Sequence, residues 1–202
     1  METCKVVLVK HGKKYNHEHV NKLSEQLSIY FNNIYCYTED PTGVNVECID
    51  TGKPKVTGVW NKLKMFSDSF PLTGECVFFD LDSKINYDPT PFLEWHNEPT
   101  VISSYWKRDQ NKYYIPHHYD TVYNSSIITW IPGTTGHIWN KFMTNPDYFT
   151  RKYKGIDRFL MWEDIKINTF RDGIVNSIAN PIGYECPIDT YNGISYEHQA
   201  IR

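Results

Sequence analysis

Cys76-Val-Phe-Phe-Asp-Leu-Asp-Ser-Lys-Ile85 is the stretch that decides how this chain is read. Four apolar residues in a row suit a strand buried on both faces, as in a parallel sheet, where alternation vanishes because neither face meets water. Two aspartates, Asp80 and Asp82, leave that strand at i and i+2. Ligands of open α/β sheets bind beyond the carboxyl ends of such strands, so the pair is expected at a ligand-bearing edge. Carboxylates this close need a proton or a cation beside them, and a divalent metal ion is the natural neutraliser. An Asp-x-Asp triplet is common by chance, so its meaning rests on what surrounds it.

Upstream, Lys5 to Lys10 reads as a strand and His11-Gly12-Lys13-Lys14-Tyr15 as the loop after it. Val20, Leu23, Leu27 and Tyr30/Phe31 recur every three to four residues, which predicts an amphipathic helix over 17–31. Ile34 to Tyr37 is a second strand, ended by the turn Thr38-Glu39-Asp40-Pro41-Thr42-Gly43. A βαβ unit with right-handed crossover puts both loops on the same sheet edge as Asp80. Val46 to Ile49 suggests a third strand, and Gly52 to Gly58 a polar loop carrying Lys53 and Lys55. Trp60, Leu63 and Phe66 space as a short helix whose Lys62 and Lys64 need not be buried.

Downstream, Pro89 and Pro91 break the chain, Phe92 to Trp95 suits one helical turn, and Thr100 to Tyr105 is β-rich. Lys107 to Tyr119 reads as a surface loop or hairpin. Val122 to Trp130 is an apolar strand interrupted by Asn124, Ser125 and Ser126, which implies a polar contact there. Helices are expected over 134–143 and 155–166, and irregular structure over the last thirty-odd residues.

The 202 residues suffice for one core, and no Pro/Gly/Ser-rich linker divides them, so one domain is expected. A net charge of -3 with scattered lysines gives no footprint for nucleic acid. Five cysteines, an odd number without Cys-x-x-Cys, read as reduced core residues. Neither a signal peptide nor an apolar run of about 18 residues is present, which predicts a soluble, intracellular, cytoplasmic protein without a transmembrane segment. The 15% aromatic content suits a sugar cleft and core packing equally. His17-Glu18-His19 begins like a zincin motif, but Asn21 stands where the second histidine belongs. His117-His118 lacks a partner at ligand spacing.

Four stretches in order resemble the metal-dependent nucleotide-sugar glycosyltransferases of GT-A fold, in particular small bacterial and phage-type ones distantly similar to glycogenin. They are Val9 to Tyr15, Tyr35 to Gly43, Gly58 to Phe66 running into Val77 to Asp82, and Tyr123 to Ile127 followed by Gly155 to Leu160. Thr169 to Ser177 looks like the family's late segment. The resemblance covers about residues 5–178 and implies a single-domain, Rossmann-like α/β fold with a mixed central sheet flanked by helices. Its nucleotide-binding part would span about 1–85 and its acceptor side about 86–202. It also implies a UDP- or GDP-sugar donor, Mn²⁺ or Mg²⁺ as cofactor, and a glycan, protein or small-molecule acceptor.

By the same resemblance Asp82 binds the metal directly, while Asp80 binds it through water or holds the ribose. Lys62 reaches the diphosphate. Lys10, His11 and Gly12 hold the base through their backbone, the Tyr15 ring stacks on it, and Asp40 accepts a base or ribose hydrogen bond. Asn124 contacts donor sugar or acceptor, and Asp157 either bonds a sugar hydroxyl or favours its helix N-terminus. Departures from the family pattern are Arg158 for Gln, Ser126 for Gly, and His198 without a following Gly, so no third protein ligand is assigned.

Read without the family, Asp80 and Asp82 also suit a strand-end turn, Lys62 an exposed helix lysine and Tyr15 simple packing. Two other functions stay open. Asp80 could be the nucleophile of a haloacid-dehalogenase-like phosphatase, although that strand usually comes near the N-terminus. The chain could also be a non-catalytic nucleotide- or sugar-binding protein.

Overall fold

The computed structural model describes residues 4–52, 56, 58–107, 121–179 and 181–191. The Lys53 and Lys55 loop positions, His117-His118 and His198 lie outside them. Strand β1 is Lys5–Lys10, β2 Asn33–Thr38, β3 Glu47–Asp50 and β4 Cys76–Phe79. β1 pairs in parallel with β2 on one side and β4 on the other, and β2 with β3. β7 (Tyr123–Trp130) runs antiparallel to β4, β6 (Thr100–Ser103) antiparallel to β7, and β8 (Asn168–Thr169) parallel to β6. The order is β3-β2-β1-β4-β7-β6-β8, a mixed seven-stranded sheet. Beside it β5 (Ser83–Ile85), β10 (Ile188–Thr190) and β9 (Val175–Ser177) form a three-stranded sheet in the order β5-β10-β9.

The apolar run before Asp80 is buried on both faces, as its composition demands. Val77 and Phe79 join one core with Val6 and Leu8, while Cys76 and Phe78 join the other with Val7. Helix α1 (His17–Leu27) covers the first core with Val20, Leu23 and Leu27. Its N-cap is Asn16, whose side chain accepts from the amides of Glu18 at 3.1 Å and His19 at 3.4 Å. His19 therefore serves the helix start.

The second core is covered by a 3-10 segment, Gly58–Phe66, and by helices α2 (Gly136–Met143), α3 (Pro146–Lys152) and α4 (Ile156–Trp162). Its centre is aromatic. Trp60 stacks on Phe142 with centroids 5.3 Å apart, and Phe159 meets Phe149 edge to face at 5.1 Å.

Several expectations are corrected. α1 ends at Leu27, and Phe31 reaches the core through a turn in which its amide donates to the Leu27 carbonyl at 2.9 Å. The β-branched Ile29, 74% exposed, and the aromatics after it are poor helix formers. Residues 58–66 are 3-10 rather than α, and Lys62 is buried at 9% exposure. Its ammonium has a carboxylate partner and an aromatic ring, which offset the loss of water. The C-terminal part carries β8, β9 and β10 in place of wholly irregular structure, because these short strands pair with distant residues: Ile188 with Ile85, and Thr190 with Ser177. Asn145 capping Tyr148, with Pro146 at the first helical position, starts α3, which the residue spacing did not suggest. All five cysteines are free, and four of them are buried.

Candidate active site

At the carboxyl end of β4 the chain turns, with the Ser83 amide donating to the Asp80 carbonyl at 3.0 Å. Leu81, 3% exposed, packs into the α1-side core, so the two aspartates around it are both left to line a cleft. The Asp80 amide donates to the Ser126 carbonyl at 2.8 Å, which ties the turn to β7. The Ser125 amide in turn donates to Asp157 Oδ1 at 3.0 Å and ties β7 to the start of α4. The Ser126 amide donates to Asn124 Oδ1 at 3.0 Å, fixing that side chain. The three polar residues that interrupt β7 thus make the contacts implied by their presence in an apolar strand.

These residues line a cleft of about 430 Å³ together with Lys14, Lys62, Lys154 and Arg158. Lys62 Nζ stands 2.5 Å from Asp80 Oδ1 and 4.8 Å from the Phe78 ring centroid. Burial pushes the Asp80 carboxyl up, the Lys62 ammonium pulls it back, and the charges of Asp82 and Asp157 add repulsion; the balance stands at about 6. Tyr15 lies close to both aspartates. Burial, followed by the Asp82 and Asp80 charges, pushes its phenol well above the usual range. The Lys14 ammonium lies 4.5 Å from the centroid of the Tyr15 ring.

The loops after β1 and β2 adjoin this cleft on the same sheet edge, since Lys10 is in register with Thr38. Lys10 is buried and donates from Nζ to the Asp40 carbonyl at 2.7 Å, with Asp40 Oδ2 at 3.6 Å. Asp40 is exposed and its Oδ1 accepts from the Thr42 amide at 3.1 Å. Glu39 is a participant that sequence reasoning passed over. It accepts from the Gly12 amide at 2.7 Å and pairs with His11 Nδ1. Gly12 turns with φ +68°, a conformation L side chains rarely adopt, and this presents its amide to Glu39. Burial drives the His11 imidazole below its ordinary value although Glu39 opposes that, and Nε2 is buried without a partner among the described residues.

The cleft thus brings together Lys62, Asp80, Asp82, Asn124 and Asp157, while Lys10 ends β1 and His11, Gly12 and Asp40 sit in the adjoining loops. Lys14, Lys154 and Ser177 also line the cleft but were not assigned roles from the sequence; no spacing relates them, and only the tertiary fold unites them.

Among the described residues no group of three or more His, Cys, Asp or Glu side chains could hold a metal ion. Asp80 and Asp82 still fit one as a two-carboxylate set. They offer hard oxygen donors of the kind Mg²⁺ and Mn²⁺ take, and a dication would counter the burial and the neighbouring charges that raise Asp80. Most of the coordination shell would then come from phosphate oxygens and water.

No protein-family model matches the sequence, and no curated protein matches it. Solved structures do. The glycosyltransferase GlyE of Streptococcus pneumoniae TIGR4 superposes with a TM-score of 0.64 at 11% identity, covering 93% of this chain and 54% of GlyE. This chain therefore spans about half of that protein. The galactosyltransferase LgtC, solved with donor and acceptor sugar analogues, gives 0.60 at 9% identity and covers 94% of this chain and 87% of its own. A glycosyltransferase involved in glycosylation of the PBCV-1 major capsid gives 0.58 at 12% identity, with 96% of each chain covered. The mixed sheet, its flanking helices and these superpositions establish that the chain has a GT-A-type glycosyltransferase fold.

Proposed function

We propose that this chain is a metal-dependent glycosyltransferase that moves a sugar from a UDP- or GDP-sugar to a hydroxyl of a glycan, protein or small-molecule acceptor. The observation that carries the reading is the cleft itself: two carboxylates end an apolar parallel strand, one of them 2.5 Å from a buried lysine. In the transfer, the acceptor oxygen bonds to the anomeric carbon and the bond from that carbon to the diphosphate breaks. The electron pair goes to the diphosphate, and the hydroxyl proton passes to phosphate oxygens or solvent. A divalent ion on Asp80 and Asp82 supplies Lewis-acid neutralisation of the charge that gathers on the leaving group.

The chain's own residues do the remainder. Lys62, held by Asp80 and Phe78, is a preorganised point charge for the diphosphate. Asn124 and Asp157, each fixed by a backbone amide of β7, orient the sugar through its hydroxyls. Lys10 to Gly12, the Tyr15 ring and Asp40 flank the base. The Gly12 amide is already engaged by Glu39, so the loop carbonyls, the ring and Asp40 do the reading. Nucleotide and acceptor parts act as one domain around the seven-stranded sheet, and the free cysteines suit a reducing cytoplasm. No helix among the described residues is long and apolar enough to cross a membrane.

Calorimetric titration of UDP and of GDP, with and without Mn²⁺, tests the proposal. Binding is expected only with the metal, and Asp82→Ala should weaken it by at least about 10-fold while the far-UV spectrum is unchanged. Absence of metal-dependent binding of these or any other nucleoside diphosphate overturns the reading.

A further inference from the structure

Two cysteines lie side by side at the edge of the seven-stranded sheet. Cys36 of β2 and Cys48 of β3 are register partners in a parallel pair. Neighbouring strands lie about 4.8 Å apart, and partners in register point to the same face. Both side chains accordingly pack on the α1-side core. Their Cα spacing falls within the ~4.4–6.8 Å that a disulfide accepts. Cross-strand partners hold their Cβ atoms about 4.5–5.5 Å apart, slightly wide for the bond, so closure needs a small shift of one strand. β3 can supply it: it ends the strand order, is four residues long, and pairs among the described residues only with β2.

The two thiols differ in access. Cys36 is fully buried, whereas Cys48 is half-buried and is the one cysteine of the five not enclosed. An oxidant therefore meets Cys48 first, and Cys36 stands behind it as the second thiol. Cys48 Sγ donates to the Val46 carbonyl at 3.5 Å, a weak bond whose loss costs little. Burial, then the neighbouring Cys48, pushes the Cys36 thiol up to about 12, and burial raises Cys48 against the opposing effects of Cys36 and Lys10. Thiolate is thus scarce at neutral pH, and the reaction should quicken as pH rises.

We propose that Cys36 and Cys48 are a reversible oxidation site, which hydrogen peroxide closes to a disulfide that ties edge strand β3 to β2. Cys48 sulfur attacks one peroxide oxygen; the S–O bond forms, the O–O bond breaks, and the other oxygen leaves with the thiol proton as water. Cys36 sulfur then attacks Cys48 sulfur; the S–S bond forms, the S–O bond breaks, and hydroxide leaves with the Cys36 proton as a second water. The two thiols lose two electrons and the peroxide gains them. The closed loop contains Glu39 and Asp40, whose bonds hold Gly12 and Lys10. This site stands apart from the transferase reading, and either can hold without the other.

The experiment uses the full chain, reduced, freed of reductant and exposed to excess hydrogen peroxide at pH 8. Alkylation under denaturing conditions should then count three thiols in place of five, and dithiothreitol should restore all five. Digestion at Glu39, which lies between the two cysteines, should yield peptides joined from Cys36 to Cys48 by mass spectrometry. Amide exchange across β3 should slow by about 10-fold in the oxidised protein. Cys48→Ser should keep its remaining thiols under the same exposure. In Cys36→Ser, Cys48 should stop at the sulfenic acid, which dimedone traps. Cys48 is a partly exposed edge position, so its variant decides the matter even if the buried Cys36→Ser fails to fold. Five thiols surviving in the parent, Cys48 oxidised while Cys36 stays a thiol, or a bond between any other pair overturns the proposal. Thiol loss in Cys48→Ser equal to the parent's overturns it too. Unchanged exchange across β3 in the oxidised protein refutes the tie between the strands.

Discussion

Replacing Lys62 by methionine should make the stability difference from the parent protein change with pH, and the geometry fixes the direction. At 2.5 Å an ammonium and a carboxylate attract by about 7 kcal/mol at an effective dielectric near 20, most of it offset by the desolvation of both groups. In the parent, the Asp80 carboxyl is raised from 3.8 to about 6. A raised carboxyl contributes stability that is fully present below about 3.8 and is lost as pH rises through 6. Without the ammonium the folded-state value moves higher still, so the loss continues above 6. At pH 8 the variant keeps a carboxylate with no counter-charge beside it. Removing one partner of a buried pair costs about 3–5 kcal/mol, and since Asp80 retains 23% side-chain exposure the low end applies, about 3 kcal/mol. At pH 5 Asp80 is protonated in both proteins. The parent then holds a buried ammonium against a neutral acid, whereas methionine rests its thioether on Phe78, so the variant should equal or exceed the parent. Urea denaturation at pH 5 and pH 8, with EDTA present, measures both ends. The same offset at the two pH values, or a larger deficit at pH 5, would refute the argument.

Three other outcomes follow from contacts already described or from the α4 end. Tyr15→Phe removes the hydroxyl beside Asp82 and Asp80 but keeps the ring, so Mn²⁺ affinity in the presence of UDP should fall by about 10-fold, read by calorimetry, with little change in Tm. Burial pushes the Glu163 carboxyl up, but bonds from Tyr153 at 2.6 Å and Lys152 at 2.9 Å, with Lys141 at 3.4 Å, outweigh it and leave it lowered. Its stabilisation is therefore present above the ordinary carboxylate range and lost as pH falls through the lowered value. Glu163→Gln should cost about 1–2 kcal/mol in urea at pH 7 and nothing once the parent's carboxyl is protonated. Phe142→Ala opens a cavity between Trp60 and Phe159 and should cost about 3–5 kcal/mol by the same measurement.

What could be read in advance was governed by local periodicity. β1, β2 and β4 each carry a complete pattern within a few residues and stand where that pattern puts them, and α1 starts where its pattern does but ends at Leu27, four residues early. The C-terminal strands carry none, because two or three residues have no period and become strands only when β10 finds β5 and β9. Lys62 was misread for a related reason. Sequence spacing shows which residues share a helix face, but a lysine is buried only if an acid waits inside, and Asp80 lies eighteen positions away across a turn. His11 and Glu39 meet for the same cause, through the parallel pairing of β1 with β2.

The opening stretch was legible because its chemistry is encoded at a spacing of two. Residues 80–82 form the turn after β4, and with Leu81 drawn into the core the aspartates on either side of it both reach the cleft. Sequence alone can thus supply the acidic half of the site, since one strand end carries it. The cationic half follows no such rule. Lys14 comes from the loop after β1, Lys62 from the 3-10 segment, and Lys154 and Arg158 from the start of α4. They converge only because β7 runs antiparallel beside β4 and brings the α4 turn to Asp80 through the Ser126 and Ser125 backbone bonds. A reading confined to motifs therefore finds the acidic half of the cleft but misses the cationic half, which only the tertiary fold assembles.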